Sequence, residues 1–505
     1  MSFPLLSLQI WLPLISAALI LVWGNKRSLS CIKWFSLLIT LIVLGLSTYM
    51  YLHFNPNLAT MQFVESYNWI PAFNIKYSLG VDGIAMPLVA LTSYTHLLVV
   101  LAAWRLIREH VAEYFAVFLI IQATINGVFC ATDAMLYFVF WEAMLIPMYV
   151  CIGIWGSENR SYAAIKFFLF TFLGSTLLLI AILYLANLSN SFDITSFYAV
   201  KLPFMTQLLI FIAFLLSFGV KVPIWPVHTW LPDAHTQAPA GGSIILAALM
   251  LKVGAYGFFR FCLPIVPDAN LYVAPFMIVI SLIAVVYIGA VALAQTDMKR
   301  LIAYSSVAHM GFVTLGLFVI YTIFAKTERI IDGALVLEGA MVQMISHAFG
   351  SGAMFLAFGI IYDKLHTRNI ADFGGIAKKM PYFAAFFMVF ALANVGLPGT
   401  SGFVGEFMVI LGSFKANFWI SFTAALTLIV AASYTLWMYR RVFYGPVNPK
   451  ISSPLVDVYG VEKLVLWLLV IAIFAIGIYP NFLLQPMHAS IYNLLGLALK
   501  TKLTV

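Results

Sequence analysis

Residues Val220–Gly257 read VKVPIWPVHTWLPDAHTQAPAGGSIILAALMLKVGAYG. The run is apolar enough for hydrocarbon, yet it holds two lysines, Lys221 and Lys252, and, just past the first of them, Pro223, Pro226 and Pro232. Proline lacks the N–H an α-helix needs, and its ring clashes with the preceding turn. The stretch therefore predicts a membrane helix that carries a lysine, breaks and resumes. Non-helical backbone at membrane depth persists only where it lines a cavity or is buried in protein.

The rest of the chain has the same character. Its 505 residues are 63% hydrophobic and 9% charged, with a mean hydropathy of +1.01. Soluble domains carry about 25% charged residues, so a soluble fold is excluded. Apolar blocks of roughly 20 residues, the length that crosses a hydrocarbon core of about 30 Å, fall at 4–23, 31–53, 80–104, 112–131, 133–155, 161–187, 205–235, 240–264, 272–294, 299–325, 334–362, 380–413, 417–443 and 463–484. The expectation is an all-α polytopic membrane protein of about 14 transmembrane helices, forming one membrane domain over 1–505. The polar stretches 54–79 and 444–462 are too short to fold alone. Residues 485–505 are too weakly apolar for a further span and are expected along the interface. The first block has no basic region before it and no small-residue cleavage site after it, so it reads as a retained helix.

A net charge of +8 does not indicate a nucleic-acid partner here, because most cations sit in short loops. Of 27 Lys and Arg, loops on one side hold 17, among them Lys26, Arg27, Lys299 and Lys450, and loops on the other hold 8. Positive residues stay cytoplasmic, which predicts both termini on the outer side of a bacterial inner membrane. Cys31, Cys130, Cys151 and Cys262 show no metal or cluster spacing, so neither a metal site nor an iron–sulfur cluster is expected in this chain.

Four charges lie inside spans: Glu142 (YFVFWEAMLIPMY), Lys221 (FGVKVPIW), Lys252 (ALMLKVGAYG) and Glu406 (GTSGFVGEFMVI). Each costs at least about 2.5–3.5 kcal/mol on insertion scales, which makes it a functional candidate. A purely structural account would have Glu142 and Lys221 form a static buried bridge, but such bridges are a weak source of stability. The alternative is proton loading and release at a lysine whose affinity a nearby carboxylate adjusts. His309 (SSVAHMGF) and His347 (MISHAFGSG) are candidate relays, with Ser305, Ser306, Ser346 and Ser351 as water-binding neighbours. His228 and His235, flanking TWLPDA, either gate water access or cap backbone.

The second interruption, NVGLPGTSGFVGEF, places Gly396, Pro398, Gly399 and Gly402 just before Glu406. Paired interrupted helices in corresponding halves point to an inverted-repeat transporter. The expected units are two inverted five-helix repeats, 111–264 and 272–443, followed by a final span and C-terminal segment over 463–505.

The stretch Lys221–Gly257, together with DGIAMP (82–87), FWEAMLIPMY (140–149), DMKRLIAYSSVAHMG (297–311), SHAFGSGAMF (346–355) and GLPGTSGFVGEF (396–407), resembles the antiporter-like subunits of proton-pumping NADH:quinone oxidoreductase, respiratory complex I. The resemblance covers nearly the whole chain and is nearest to the chain M branch, the counterpart of mitochondrial chain 4. Glu406 stands where sister chains generally carry Lys, and no long lateral helix follows the last span. The resemblance implies that Glu142 and Lys221 are a coupling pair, Lys252 the central proton carrier and Glu406 the exit residue, with His309 and His347 lining the path. It also implies that FMN, iron–sulfur clusters and quinone belong to partner subunits, the other membrane subunits of the complex. A subunit of a multisubunit sodium/proton antiporter is the alternative, since it shares the middle motifs. A lone transporter would need a midplane substrate site, and a sodium site would add carboxylate and carbonyl ligands near the breaks; Asp133 and Asp233 are the carboxylates available, and they are expected near the membrane surfaces. A non-transporting scaffold would leave four costly charges without purpose.

Overall fold

The computed structural model describes residues 3–24, 28–448 and 455–503. Lys26, Arg27 and Lys450, three of the cations that set the orientation above, lie outside the described residues. Among those residues, 13 helices are long and apolar enough to cross a membrane. They are α1 (Leu5–Trp23), α2 (Leu29–Leu52), α3 (Ala85–Leu106), α4 (Val111–Cys130), α5 (Ala134–Trp155), α6 (Arg160–Ser189), α7 (Phe204–Lys221), α9 (Ala240–Ile265), α10 (Pro267–Leu293), α11 (Met298–Thr327), α12 (Ile330–Leu365), α15 (Phe418–Phe443) and α16 (Val461–Ile478). Between them stand the shorter α8 (Trp230–Gln237), α13 (Pro381–Val395) and α14 (Ser401–Ala416), and after them α17 (Asn481–Ala498).

Both interruptions are present as backbone breaks. Lys221 is the last residue of α7, and the chain runs without regular helix to Trp230. The freed groups are satisfied locally: Ile224 N donates to Gly219 O (2.8 Å) and the Trp230 indole to Val220 O (2.8 Å). Pro232 is not part of the break. It occupies the first turn of α8, where an N–H has no intrahelical partner in any case. The long span over 380–413 resolves into α13 and α14, separated by Gly396–Thr400. Gly396 ends α13 with φ +80, the left-handed C-terminal conformation that glycine adopts without a Cβ penalty.

Helices α9, α11 and α12 form the buried centre, with 100%, 89% and 94% of their apolar windows covered by protein. By contrast α2, α15 and α16 keep outward faces that lipid would cover, at 28% and 33%. Helix α9 is widened by two π-helical turns, Leu246–Met250 and Phe258–Cys262, on either side of Lys252.

One element escaped the hydropathy reading. Gln62–Ile70 (β1) and Ile75–Val81 (β2) pair antiparallel, with Ser66 opposite Ser78 and Tyr67 opposite Tyr77. The span expected from residue 80 thus starts at Ala85. The hairpin ties down α1. Glu65, buried on β1, accepts Leu6 N (2.8 Å) and Ser7 N (3.2 Å) and bonds the Ser7 hydroxyl, placing a carboxylate at the positive end of the helix. Loss of such a cap costs about 1–2 kcal/mol. Glu65→Ala is expected to accelerate amide hydrogen exchange at Leu6 and Ser7 while leaving exchange in α11 and α12 unchanged.

The C-terminal segment has a defined place. It begins at Asn481 and is a helix packed on the chain itself, burying Leu483, Met487, Ile491, Leu494 and Leu495 on one face against α12 and the end of α9. These residues recur at the three- and four-residue spacing of one helical stripe, too narrow for a span and wide enough to dock.

Candidate functional site

Charged and aromatic-nitrogen side chains from four helices meet in the centre of the bundle. Lys252 is fully buried at 0% exposure. Its Nζ donates to Ala247 O at 2.6 Å, the carbonyl of the wide turn below it, and lies 2.6 Å from His347 Nδ1 on α12. His347 and His309 of α11 face each other with ring centroids 5.7 Å apart and planes tilted by 53°. His309 Nδ1 is 2.7 Å from Glu406 Oε1 on α14, and Gln343 Nε2 donates to the same oxygen at 3.0 Å. Lys252, His347, His309 and Glu406 therefore form one row across the interior. Their exposures are 0%, 5%, 4% and 2%.

The row keeps free hydrogen-bonding points. Nε2 of both histidines, Oε2 of Glu406, Oε1 of Gln343 and the Ser346 hydroxyl are buried without a side-chain or backbone partner. Buried polar groups are ordinarily satisfied, and a water between the rings would give both Nε2 atoms a partner. Of the serines singled out above, Ser306 and Ser351 contact each other across α11 and α12 at 2.8 Å, and Ser305 turns to Ile302 O.

Local sequence explains why the row assembles. Gln343, His347 and Ser351 recur every four residues, so they share one face of α12. On the facing helix, Gly405 comes so close that an added Cβ would lie 2.5 Å from Gln343 N, which lets Glu406 reach Gln343. Gly405→Leu is expected to force α14 off α12 and destabilise the fold by about 1–3 kcal/mol, seen as a lower melting temperature in detergent.

A second group lies at the first break. Lys221, 2% exposed, donates to Trp141 O (3.1 Å) and sits 3.5 Å from the centre of the Trp141 ring, a cation–π geometry. The static Glu142–Lys221 bridge is not formed. Glu142 follows Trp141 directly, so the two side chains diverge by about 100° around the helix, and Glu142 Oε1 is buried without a hydrogen-bond partner. The Glu142 charge still reaches Lys221 through space. Near Glu142 the helix is interrupted at Met144, where Pro147 cannot donate to the carbonyl of Ala143.

His228 is not brought into the row. It is buried within the first break, its ring 6.4 Å from Tyr304, with Nδ1 unpartnered. Gln343 and Tyr434, the latter close to Glu406, Ser305 and Asn394, belong to the site and were not singled out in the sequence. Gln343 had a signal, its four-residue spacing from His347. Tyr434 had none. Asp133 and Asp233 lie at helix ends outside the row. Asp133 caps α5 through Met135 N and Leu136 N, and Asp233 binds Lys166 and Arg300, each at 2.7 Å. Among the described residues no cluster of three or more His, Cys, Asp or Glu has metal-binding geometry.

A family described as NADH:quinone oxidoreductase/Mrp antiporter, TM, matches residues 131–431. The chain is 44% identical over 506 residues to NADH-quinone oxidoreductase subunit M of Rhodobacter capsulatus, covering 97% of this chain and 96% of that one. It is 39% identical over 490 residues to NADH-ubiquinone oxidoreductase chain 4 of Marchantia polymorpha, covering 97% and 96%. Among solved structures it superposes with a TM-score of 0.86 and 29% identity on a chain of respiratory complex I from Thermus thermophilus, covering 97% of this chain and 100% of that one. A chain of the Mrp complex from a Dietzia species shares the fold, with a TM-score of 0.85 at 18% identity and coverage of 99% and 100%. The matched motifs, the near-complete coverage by subunit M relatives and the common helical architecture establish that the chain belongs to the membrane-subunit family of NADH:quinone oxidoreductases and Mrp antiporters, with subunit M and chain 4 as its relatives.

Proposed function

We propose that the chain is a proton-translocating subunit of an NADH:quinone oxidoreductase, the complex its subunit M relatives are named for, and that protons cross along Lys252, His347, His309 and Glu406. The observation that carries this reading is the buried row of these four side chains, with hydrogen-bonding contacts at Lys252–His347 and His309–Glu406 and the two imidazoles facing each other between them. An ammonium at Lys252 donates to His347 Nδ1. As that N–H bond forms, the proton on Nε2 leaves through water between the rings to His309, and the proton on His309 Nδ1 passes to Glu406 Oε1. Release from Glu406 to the outer side, followed by return of each imidazole to its starting tautomer, completes one transfer.

Glu142 and Lys221 supply the control. In a low-dielectric interior, charges act strongly on one another, so a change in the charge at Glu142 alters how firmly Lys221 holds its proton. Lys221 then gives that proton towards Lys252. Their lack of direct contact suits this role, because a closed pair would hold both charges fixed. His228, in the break beside Lys221, is a second acceptor for water there.

The remaining assignments belong to the same proposal. The chain lies in a bacterial cytoplasmic membrane among other membrane subunits of the complex, with both termini on the outer side. FMN, iron–sulfur clusters and quinone reside in partner subunits. The two breaks occupy corresponding places in two inverted five-helix units, 111–264 and 272–443, with 463–505 as a closing segment.

The test is NADH-driven acidification of inverted membrane vesicles, comparing wild type with Lys221→Met after confirming assembly of the complex. Loss of acidification is expected for the variant. Wild-type acidification should persist in sodium-free medium and collapse with a protonophore. Full pumping and full NADH oxidation in Lys221→Met would overturn the reading, and a strict sodium requirement would turn it towards a sodium/proton antiporter.

A further inference from the structure

Helix α8, the short helix after the first break, ends in carbonyls that take their partners from other parts of the chain. Arg368 Nη1 donates to Thr236 O (2.8 Å), Ser157 N to Gln237 O (2.9 Å) and Lys299 Nζ to Ala238 O (2.5 Å). Lys299 had counted as a loop cation. It is the second residue of α11 and only 5% exposed, with Phe358 5.8 Å from its Nζ and the Arg368–Asp297 pair (3.5 Å) beside it. It lines a cavity of about 440 Å³ that opens among loops carrying Arg108, Arg160 and His366, on the cation-rich side of the protein.

Behind this cavity wall lies His235, one residue before Thr236. Its ring is stacked on Phe355 with centroids 4.4 Å apart and planes 3° from parallel. Its exposure is 0%, and neither ring nitrogen has a hydrogen-bond partner. A histidine buried for packing alone normally has at least one nitrogen satisfied. The ring lies in electrostatic range of Lys299, of Lys252 and of His347.

We propose that Lys299 and His235 form a second inbound arm of the proton path, separate from the transfer out of Lys221, carrying protons from the cytoplasmic cavity to Lys252. This rests on the proton-translocating reading above and adds the residues that feed it. The C-terminal end of α8, next to Ala238 O, favours a cation at Lys299. An N–H bond at Lys299 Nζ breaks and the proton passes, through water, to one nitrogen of His235. The amine left behind takes a proton from water in the cavity. The imidazolium then gives its proton to the neutral amine of Lys252. One proton leaves the cavity for each one that reaches Lys252 by this arm.

A carbonyl cap alone would also account for Lys299, and arginine separates the two roles. Arginine keeps the positive charge and can donate to Ala238 O, but it does not release a proton. In the assembled complex, Lys299→Arg and His235→Gln are each expected to slow NADH-driven vesicle acidification, and the NADH oxidation coupled to it, by on the order of tenfold or more. Wild-type pumping in an assembled Lys299→Arg complex would reduce Lys299 to a cap and overturn the proposal. If Lys299→Arg does not assemble, His235→Gln decides, since no hydrogen bond of the ring is lost, and wild-type pumping there overturns it. Lys252→Met in the same preparation separates the two levels. If Lys252→Met stops pumping while both other variants pump normally, the central row stands and the inbound arm fails. If all three pump normally, the translocating reading falls with it.

Discussion

Lys252→Met is expected to stop proton transfer through this chain while leaving it folded and assembled. Met has nearly the same length and removes an ammonium from a site with 0% exposure, and replacing a buried charge by an apolar group of similar volume is often neutral or stabilising. The loss is confined to two hydrogen bonds, to Ala247 O and His347 Nδ1. Leaving such groups without partners costs about 1–3 kcal/mol each, small beside the packing of α9. The proton step has no substitute donor in the row, so the rate through it should fall on the order of 100-fold or more. Stopped-flow acidification of vesicles alongside a native gel of the complex checks both halves. Near-normal pumping with normal assembly would show that protons do not use Lys252.

Glu406→Gln should have an effect of the same size at the other end. The amide keeps the shape of the carboxylate, and its oxygen still accepts from Gln343 Nε2 or His309 Nδ1, so little change in stability is expected. It cannot accept a proton at any pH of interest. Protons reaching His309 would then have nowhere to go, and acidification should fall on the order of 100-fold. Glu406→Asp tests whether position or charge matters: the carboxylate is shortened by one methylene, away from His309 at 2.7 Å, and partial pumping is the expected result. Equal acidification rates for Glu406→Gln and wild type would place the exit elsewhere.

How much of this was legible in the sequence depended on how unusual each residue was against its background. Lys252 and Glu406 stood out because a charge in an apolar block is costly whatever surrounds it. His309 and His347 were visible for a weaker version of the same reason. The breaks were visible because proline and glycine act through the backbone. Pairing was not legible: opposite signs suggested that Glu142 and Lys221 touch, but Trp141 takes the position against the lysine. Gln343 was passed over because a neutral amide barely perturbs hydropathy. Lys299 was misjudged because one helical turn separates a loop cation from a buried one, and only the packing of α8 against α11 decides which it is. The hairpin over 62–81 was read as polar connection because its strands are amphipathic, without the long apolar run that marks a span.

Helix α12 runs unbroken for 36 residues, about 54 Å, and it supplies His347 to Lys252 and Gln343 to Glu406. The two contacts are one turn apart on the same rigid rod. A slide of α12 by a single residue would move both side chains by about 1.5 Å along the axis, more than either hydrogen bond tolerates. The lysine's contact with His347 and the Gln343 hold on Glu406 are therefore ganged like the blades of a double-pole switch, while the His309–Glu406 contact, made from α11, stays closed whatever position α12 takes.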